Sequence, residues 1–173
     1  MNILDQIVAY KKQVVAERKE LYPVKLLEKS LYFSSPTVSL KKYLSREDKS
    51  GIIAEFKRRS PSKGIINAYA NVEETSIAYM RAGASALSVL TDKQFFGGSN
   101  EDLKIARKFN FCPILRKEFI IDEYQLYEAR SIGADAILLI AEILSDKEVR
   151  RLSDIAKGLD LEVLMEVHAK EQL

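Results

Sequence analysis

Hydrophobic and polar positions change rhythm at Gly51. Beyond it, short apolar runs rich in Ile, Leu and Val alternate with longer stretches in which apolar residues recur every three or four positions. The first pattern marks buried strands and the second half-buried helices. Ile52–Lys57, Ala86–Leu90, Pro113–Lys117, Asp135–Ile140 and Leu161–Val167 read as five strands. Between them Val72–Ala82, Glu101–Phe109, Asp122–Ile132 and Ser145–Lys157 read as helices. Asn71 offers a side-chain oxygen to the free N–H groups that open the first helix. Gly83, Gly133 and Gly158 stand where helices stop, and Ala169–Leu173 reads as the opening of one more. Strand–helix alternation of this kind requires parallel strands, right-handed crossovers and helices outside the sheet. Two architectures share that rhythm, an open doubly wound sheet and a (β/α)8 barrel. Periodicity does not separate them.

Before Gly51 the pattern is helical. Ile3, Leu4, Ile7, Val8, Val14 and Val15 fall at helical spacing, with Lys11, Lys12, Glu17, Arg18 and Lys19 between them. Pro23 ends or restarts that helix. Leu26, Leu27, Leu31, Tyr32 and Phe33 form a second apolar patch, Ser34-Ser35-Pro36 a break, and Leu40–Leu44 a short third helix. Residues 1–50 are expected to be a helical extension that covers the domain of residues 51–173.

Composition adds boundaries more than content. The chain has 173 residues, 47% of them apolar, enough for a full core in one domain. Lys and Arg number 27 against 25 Asp and Glu, a formal +2 that argues against a nucleic-acid surface. Cys112 is the single cysteine, which excludes an internal disulfide and any multi-cysteine metal site. No apolar run approaches the ~20 residues of a membrane span, and the N-terminus lacks a signal-peptide pattern. The expectation is a soluble cytoplasmic protein.

Candidate chemistry gathers at strand ends. In GIIAEFKRRSPSKG (51–64), alternation puts Glu55 and Lys57 on one face of the first strand and Ile52, Ala54 and Phe56 on the other. A plain strand-end ion pair followed by a loop has the same appearance. Lys117 ends the third strand and Glu166 the fifth. All four charges sit at carboxyl ends of odd-numbered strands, whose side chains share layers in a closed barrel and converge on one mouth. In an open sheet they would be strung along an edge. Two Lys and two Glu brought together set one another's protonation, which is a catalytic pattern. Arg116, of opposite parity, is expected to face the helices. Arg58, Arg59, Asp92 and Lys93 are expected to be solvated loop charges, His168 to start the next helix, and Cys112 to be a buried apolar group.

Five segments, IIAEFKRRSPSKG (52–64), SVLTDKQFFGGS (88–99), ILRKEFIIDEYQ (114–125), GADAILLIA (133–141) and LEVLMEVH (161–168), together resemble the indole-3-glycerol-phosphate synthase family of tryptophan biosynthesis. They occur in that family's order and at its spacing. The resemblance implies a (β/α)8 TIM barrel with an N-terminal helical extension. It also implies a lyase that closes the ring of 1-(2-carboxyphenylamino)-1-deoxyribulose 5-phosphate, then removes carbon dioxide and water, without cofactor or metal. Carried over by position, Lys117 is the general acid at the carbonyl and Glu166 a second acid/base group. Lys57 meets substrate charge and Glu55 orients the lysines. Ser60 and Ser62 are polar contacts of the first mobile loop, and Phe95 is an aromatic wall. How the protons of dehydration divide among the two Glu and two Lys stays open.

The sequence departs from the family in carrying five strands only, without the family's sixth-strand Asn, seventh-strand Glu and Ser, or Gly-rich phosphate donors. The expectation is a barrel truncated after strand five, a fragment of a longer enzyme that is inactive alone, with a split barrel as the alternative. Its unpaired edges are expected to self-associate. Two other functional classes share the rhythm, a different phosphosugar isomerase and a non-enzymatic half-barrel scaffold. The partner is expected to be a small phosphorylated substrate, with no nucleic acid or membrane.

Overall fold

Each long helix begins where a short polar side chain can take its free N–H groups. The computed structural model describes residues 2–170. In α1 (Ile3–Leu21) Asn2 accepts the Asp5 N–H at 2.8 Å while the Asp5 carboxylate accepts the Asn2 N–H at 3.1 Å, a reciprocal cap. Ser145 caps α7 (Asp146–Gly158) in the same reciprocal manner, while Asn71 on α4 (Val72–Arg81) and Ser99 on α5 (Asn100–Phe109) accept helix N–H groups without the return bond. Two short helices, α2 (Val24–Leu27) and α3 (Leu40–Leu44), complete the extension, and α6 (Tyr124–Ser131) lies between α5 and α7. Gly83 and Gly133 take positive φ just past their helices, as expected of stop residues. Gly158 does not. It is the last residue of α7, and the left-handed turn falls two residues later on Asp160, at φ 57°. Of the last expected helix, residues 171–173 lie outside the described residues.

The strands β1 (Ile53–Phe56), β4 (Ala86–Leu90), β5 (Ile114–Lys117), β6 (Ala136–Ile140) and β7 (Glu162–Glu166) form one parallel sheet in the order β1-β4-β5-β6-β7. Among the described residues they lie in chain order, without the reversal point that defines a doubly wound sheet. A small antiparallel hairpin, β2 (Arg59–Ser60) with β3 (Gly64–Ile65), occupies what the sequence presented as a plain loop. The fold is therefore α/β, with a parallel sheet clothed by helices.

Strand alternation divides the sheet into two apolar layers. Phe56, Leu87, Val89, Ile114, Ile137 and Leu139 point to the helices and pack with Leu103, Ala106, Leu126 and Leu152. Ile53, Ala86, Leu115, Ala136 and Leu164 point the other way, where Leu40 and Leu44 of α3 close over them. The extension thus seals the amino-terminal end of the sheet. It is fastened there by strands late in the chain. Glu162 accepts from the Ser39 hydroxyl at 2.5 Å and the Lys41 N–H at 2.9 Å, and Asp135 accepts the Val38 N–H at 2.8 Å. At the other end, Val15 and Leu27 pack with Tyr124. Leu26 and Leu31, assigned to an apolar patch by the sequence, are exposed instead.

Candidate active site

With the amino-terminal end closed, the opposite end of the sheet is where side chains can meet solvent. Glu55, at the end of β1, and Lys57, just beyond it, lie on the inner face, with Lys57 Nζ 2.8 Å from Glu55 Oε1. Lys117 reaches in from β5, its Nζ 3.4 Å from Glu55 Oε2 and 3.8 Å from Glu166 Oε2 at the end of β7. The four charges expected to converge are therefore together. Leu90, Leu138 and Ile140 make an apolar floor beneath them, and the Phe96 and Phe119 rings stand at the side, enclosing about 190 Å³. Burial alone would raise the Glu55 pKa. The hydrogen bond from Lys57 and the charges of Lys117 and Lys57 outweigh it and hold the carboxyl below its usual range.

His168 extends this network, contrary to its expected place outside the site. Its Nε2 lies 3.0 Å from Glu166 Oε1 and its Nδ1 3.0 Å from Glu142 Oε2. The Glu142 contact and the charge of Glu166 raise the imidazole pKa.

Three expected binding residues lie elsewhere. The Asp92 carboxylate accepts the N–H groups of Phe95 and Phe96 at 2.6 and 3.3 Å. The resulting turn sends Phe95 outward, edge-on to Tyr10 with ring centroids 5.8 Å apart, and Phe96 inward. Of the two rings, Phe96 is the one that lines the pocket. Ser60 and Ser62 sit in the β2–β3 hairpin with their hydroxyls 3.4 Å apart, and Ser60 Oγ accepts the Lys63 N–H at 3.2 Å. They shape the loop tip and do not line the pocket.

Charges set aside as loop solvation prove to be structural. Arg58 forms a two-pronged pair with Asp102, both contacts 2.8 Å, and donates to the Ala70 and Gly97 carbonyls, with its guanidinium 4.9 Å over the Phe56 ring. Asp92 is fully buried and pairs with Lys11 at 2.9 Å; Lys93 is exposed as expected. Arg116 faces the helices as its parity demands, held by Glu128, Asn100, Thr91 and the Gln125 carbonyl. Glu128 also binds Arg18 of α1, and between these two guanidinium groups its pKa falls despite burial. Cys112 is buried as expected, its thiol pushed up to about 11 by burial. Lys11 had a legible signal. Ile7, Lys11 and Val15, all buried, repeat at four-residue spacing, so the lysine interrupts an apolar stripe.

Residues 4–173 match the family model described as indole-3-glycerol phosphate synthase. The chain belongs to this family. An indole-3-glycerol phosphate synthase of Bacteroides thetaiotaomicron is 49% identical over 99% of the chain, and one of Prochlorococcus marinus strain MIT 9515 is 46% identical over the same share. One of Carboxydothermus hydrogenoformans is 41% identical over 98% of it. The chain spans 66%, 59% and 67% of the length of these relatives, about two thirds at most. The strand-end charges and their aromatic wall thus belong to an indole-3-glycerol phosphate synthase framework.

Proposed function

We propose that the five strands are the first five of a (β/α)8 barrel, with residues 1–50 as its extension. We further propose that the protein acts as an indole-3-glycerol phosphate synthase, a carbon–carbon lyase of tryptophan biosynthesis. The substrate is 1-(2-carboxyphenylamino)-1-deoxyribulose 5-phosphate. The observation that carries this is Lys117, set within 4 Å of two carboxylates over an apolar floor with aromatic rings beside it. Such a pocket suits a substrate that joins a phenyl ring to a carbonyl.

In this mechanism a ring carbon attacks the ribulose carbonyl, and Lys117 protonates the oxygen as negative charge gathers there. The attacking ring carbon still bears the carboxylate, and loss of carbon dioxide from it restores aromaticity. Lys57 faces that carboxylate as a counter-charge until it leaves. Glu55 keeps both ammonium groups aimed inward. Dehydration then needs one group to take a proton and one to give a proton to the departing hydroxyl. Glu166 is one of them. The setting is proposed to be cytoplasmic, with a small phosphorylated substrate as partner and neither nucleic acid nor membrane. The near-neutral charge supports this, and among the described residues no helix is long and apolar enough to cross a membrane.

The test is Lys117→Met in the full natural chain. Turnover to indole-3-glycerol phosphate is expected to fall by several orders of magnitude while the melting transition stays nearly unchanged. A variant keeping more than about a tenth of wild-type kcat would remove Lys117 from the acid's role.

A further inference from the structure

Lys11 lies on the outer helix α1, yet its ammonium is only 5% exposed and touches two carboxylates, Asp92 and Glu118, each at 2.9 Å. Those carboxylates belong to different loops. Asp92 follows β4, and Glu118 follows β5 immediately after Lys117. Each organises its own loop. Asp92 accepts the Phe95 and Phe96 N–H groups, and its carbonyl accepts the Gly98 N–H at 2.8 Å. Glu118 accepts the Phe119 N–H at 2.9 Å and the Thr91 hydroxyl at 2.9 Å. The two loops present Phe96 and Phe119, whose centroids are 5.8 Å apart and which both line the pocket beside Lys117.

Apolar packing is only part of how these loops are held, with Phe95 against Tyr10 of α1 and Phe96 against Phe119. A cavity of about 300 Å³ borders Lys11, Thr91 and Glu118 on the α1 side. Where that space is open, the ion pairs carry the connection. Two buried carboxylates left facing each other would repel, so the single ammonium is what allows both loops to approach. Burial disfavours the charged lysine, but Glu118 and Asp92 more than compensate and raise its pKa.

We propose that Lys11 is a positioning residue for the active site, clasping the loops after β4 and β5 so that Phe96 and Phe119 stand as paired walls for the aromatic ring of the substrate. Its effect on substrate rests on the synthase function proposed above. The clasp itself does not.

The experiment compares Lys11→Met with Arg18→Met in the full natural chain. Arg18 ties α1 to Glu128 on α6 and makes no contact with either loop carboxylate. Amide hydrogen exchange is read at Phe95, Phe96 and Phe119 by NMR. Affinity is read with the substrate analogue whose ribulose carbonyl is reduced to an alcohol. Lys11→Met is expected to lose protection at those amides and to bind the analogue about tenfold more weakly, while Arg18→Met keeps both. Equal protection in the two variants would overturn the clasp. Lost protection with unchanged affinity would overturn the positioning role. Failure of the functional reading shows separately, as wild-type protein that neither binds the analogue nor turns over substrate, and the exchange comparison still decides the clasp. Should Lys11→Met not fold, Lys11→Gln carries the same measurements, since its amide keeps a donor for one carboxylate.

Discussion

Glu55 stands between two ammonium groups, 2.8 Å from Lys57 and 3.4 Å from Lys117, and its charge state decides what both can do. A carboxylate whose folded pKa is depressed contributes stability above its unfolded pKa and loses it as pH falls through the folded value. The Glu55 carboxyl is therefore expected to titrate below the ordinary glutamate range in a carbon-13 NMR titration. Lys117→Met should move that midpoint upward, because one of the compensating charges is gone. A midpoint unmoved by the substitution would mean that Lys57 alone sets it. For Lys11 the sign is opposite. Its folded pKa lies above the ordinary lysine value, so its contribution is complete below the unfolded value and is lost as pH rises through the folded one. The Lys11 ammonium of the clasp thus stays charged through neutral pH.

Among the elements, the loop after β4 is closely fitted at Gly98. A Cβ placed on Gly98 would fall 2.0 Å from the Leu90 carbonyl oxygen and 2.6 Å from its carbon, both backbone atoms that cannot swing aside. Gly98→Ala must push the loop off the end of β4, and with it Asp92 and Phe96. The expected cost is about 1–3 kcal/mol or more in a denaturant titration, together with weaker binding of the substrate analogue. An unchanged midpoint would show that the loop has room the structure does not display. This loop also marks where sequence reading stopped. The central strands were legible because Ala86–Leu90 and Ala136–Ile140, buried on both faces, are near-continuous apolar runs. The four converging charges were legible because strand parity alone aims them. Phe95 and Phe96 are adjacent aromatics, and only the turn around Asp92 decides which faces inward. Asp92, Arg58 and Lys11 are polar in any pattern. Each is held by a partner distant in sequence, which no local rhythm encodes. Lys11 alone left a trace, as the break in the stripe of Ile7 and Val15.

At the scale of the molecule, β1 and β7 each pair on one side only among the described residues. Val163 and Met165 on β7 remain 37% exposed. Open backbone groups beside apolar side chains invite pairing with another chain. Purified residues 1–173 are expected to self-associate in a concentration-dependent manner, which light scattering behind gel filtration measures. A monodisperse monomer that melts cooperatively would contradict the open-edge account. The fastening of the extension has a consequence in time. Ser39 bonds to Glu162, 123 positions later. At roughly 5–20 residues per second of synthesis, that partner leaves the ribosome on the order of ten seconds after Ser39 does. Throughout that interval α3, with the apolar Leu40 and Leu44, has no finished end of the sheet to close. The nascent chain therefore carries α3 without this fastening until β7 is made, although α1 already has its partners on the loops after β4 and β5.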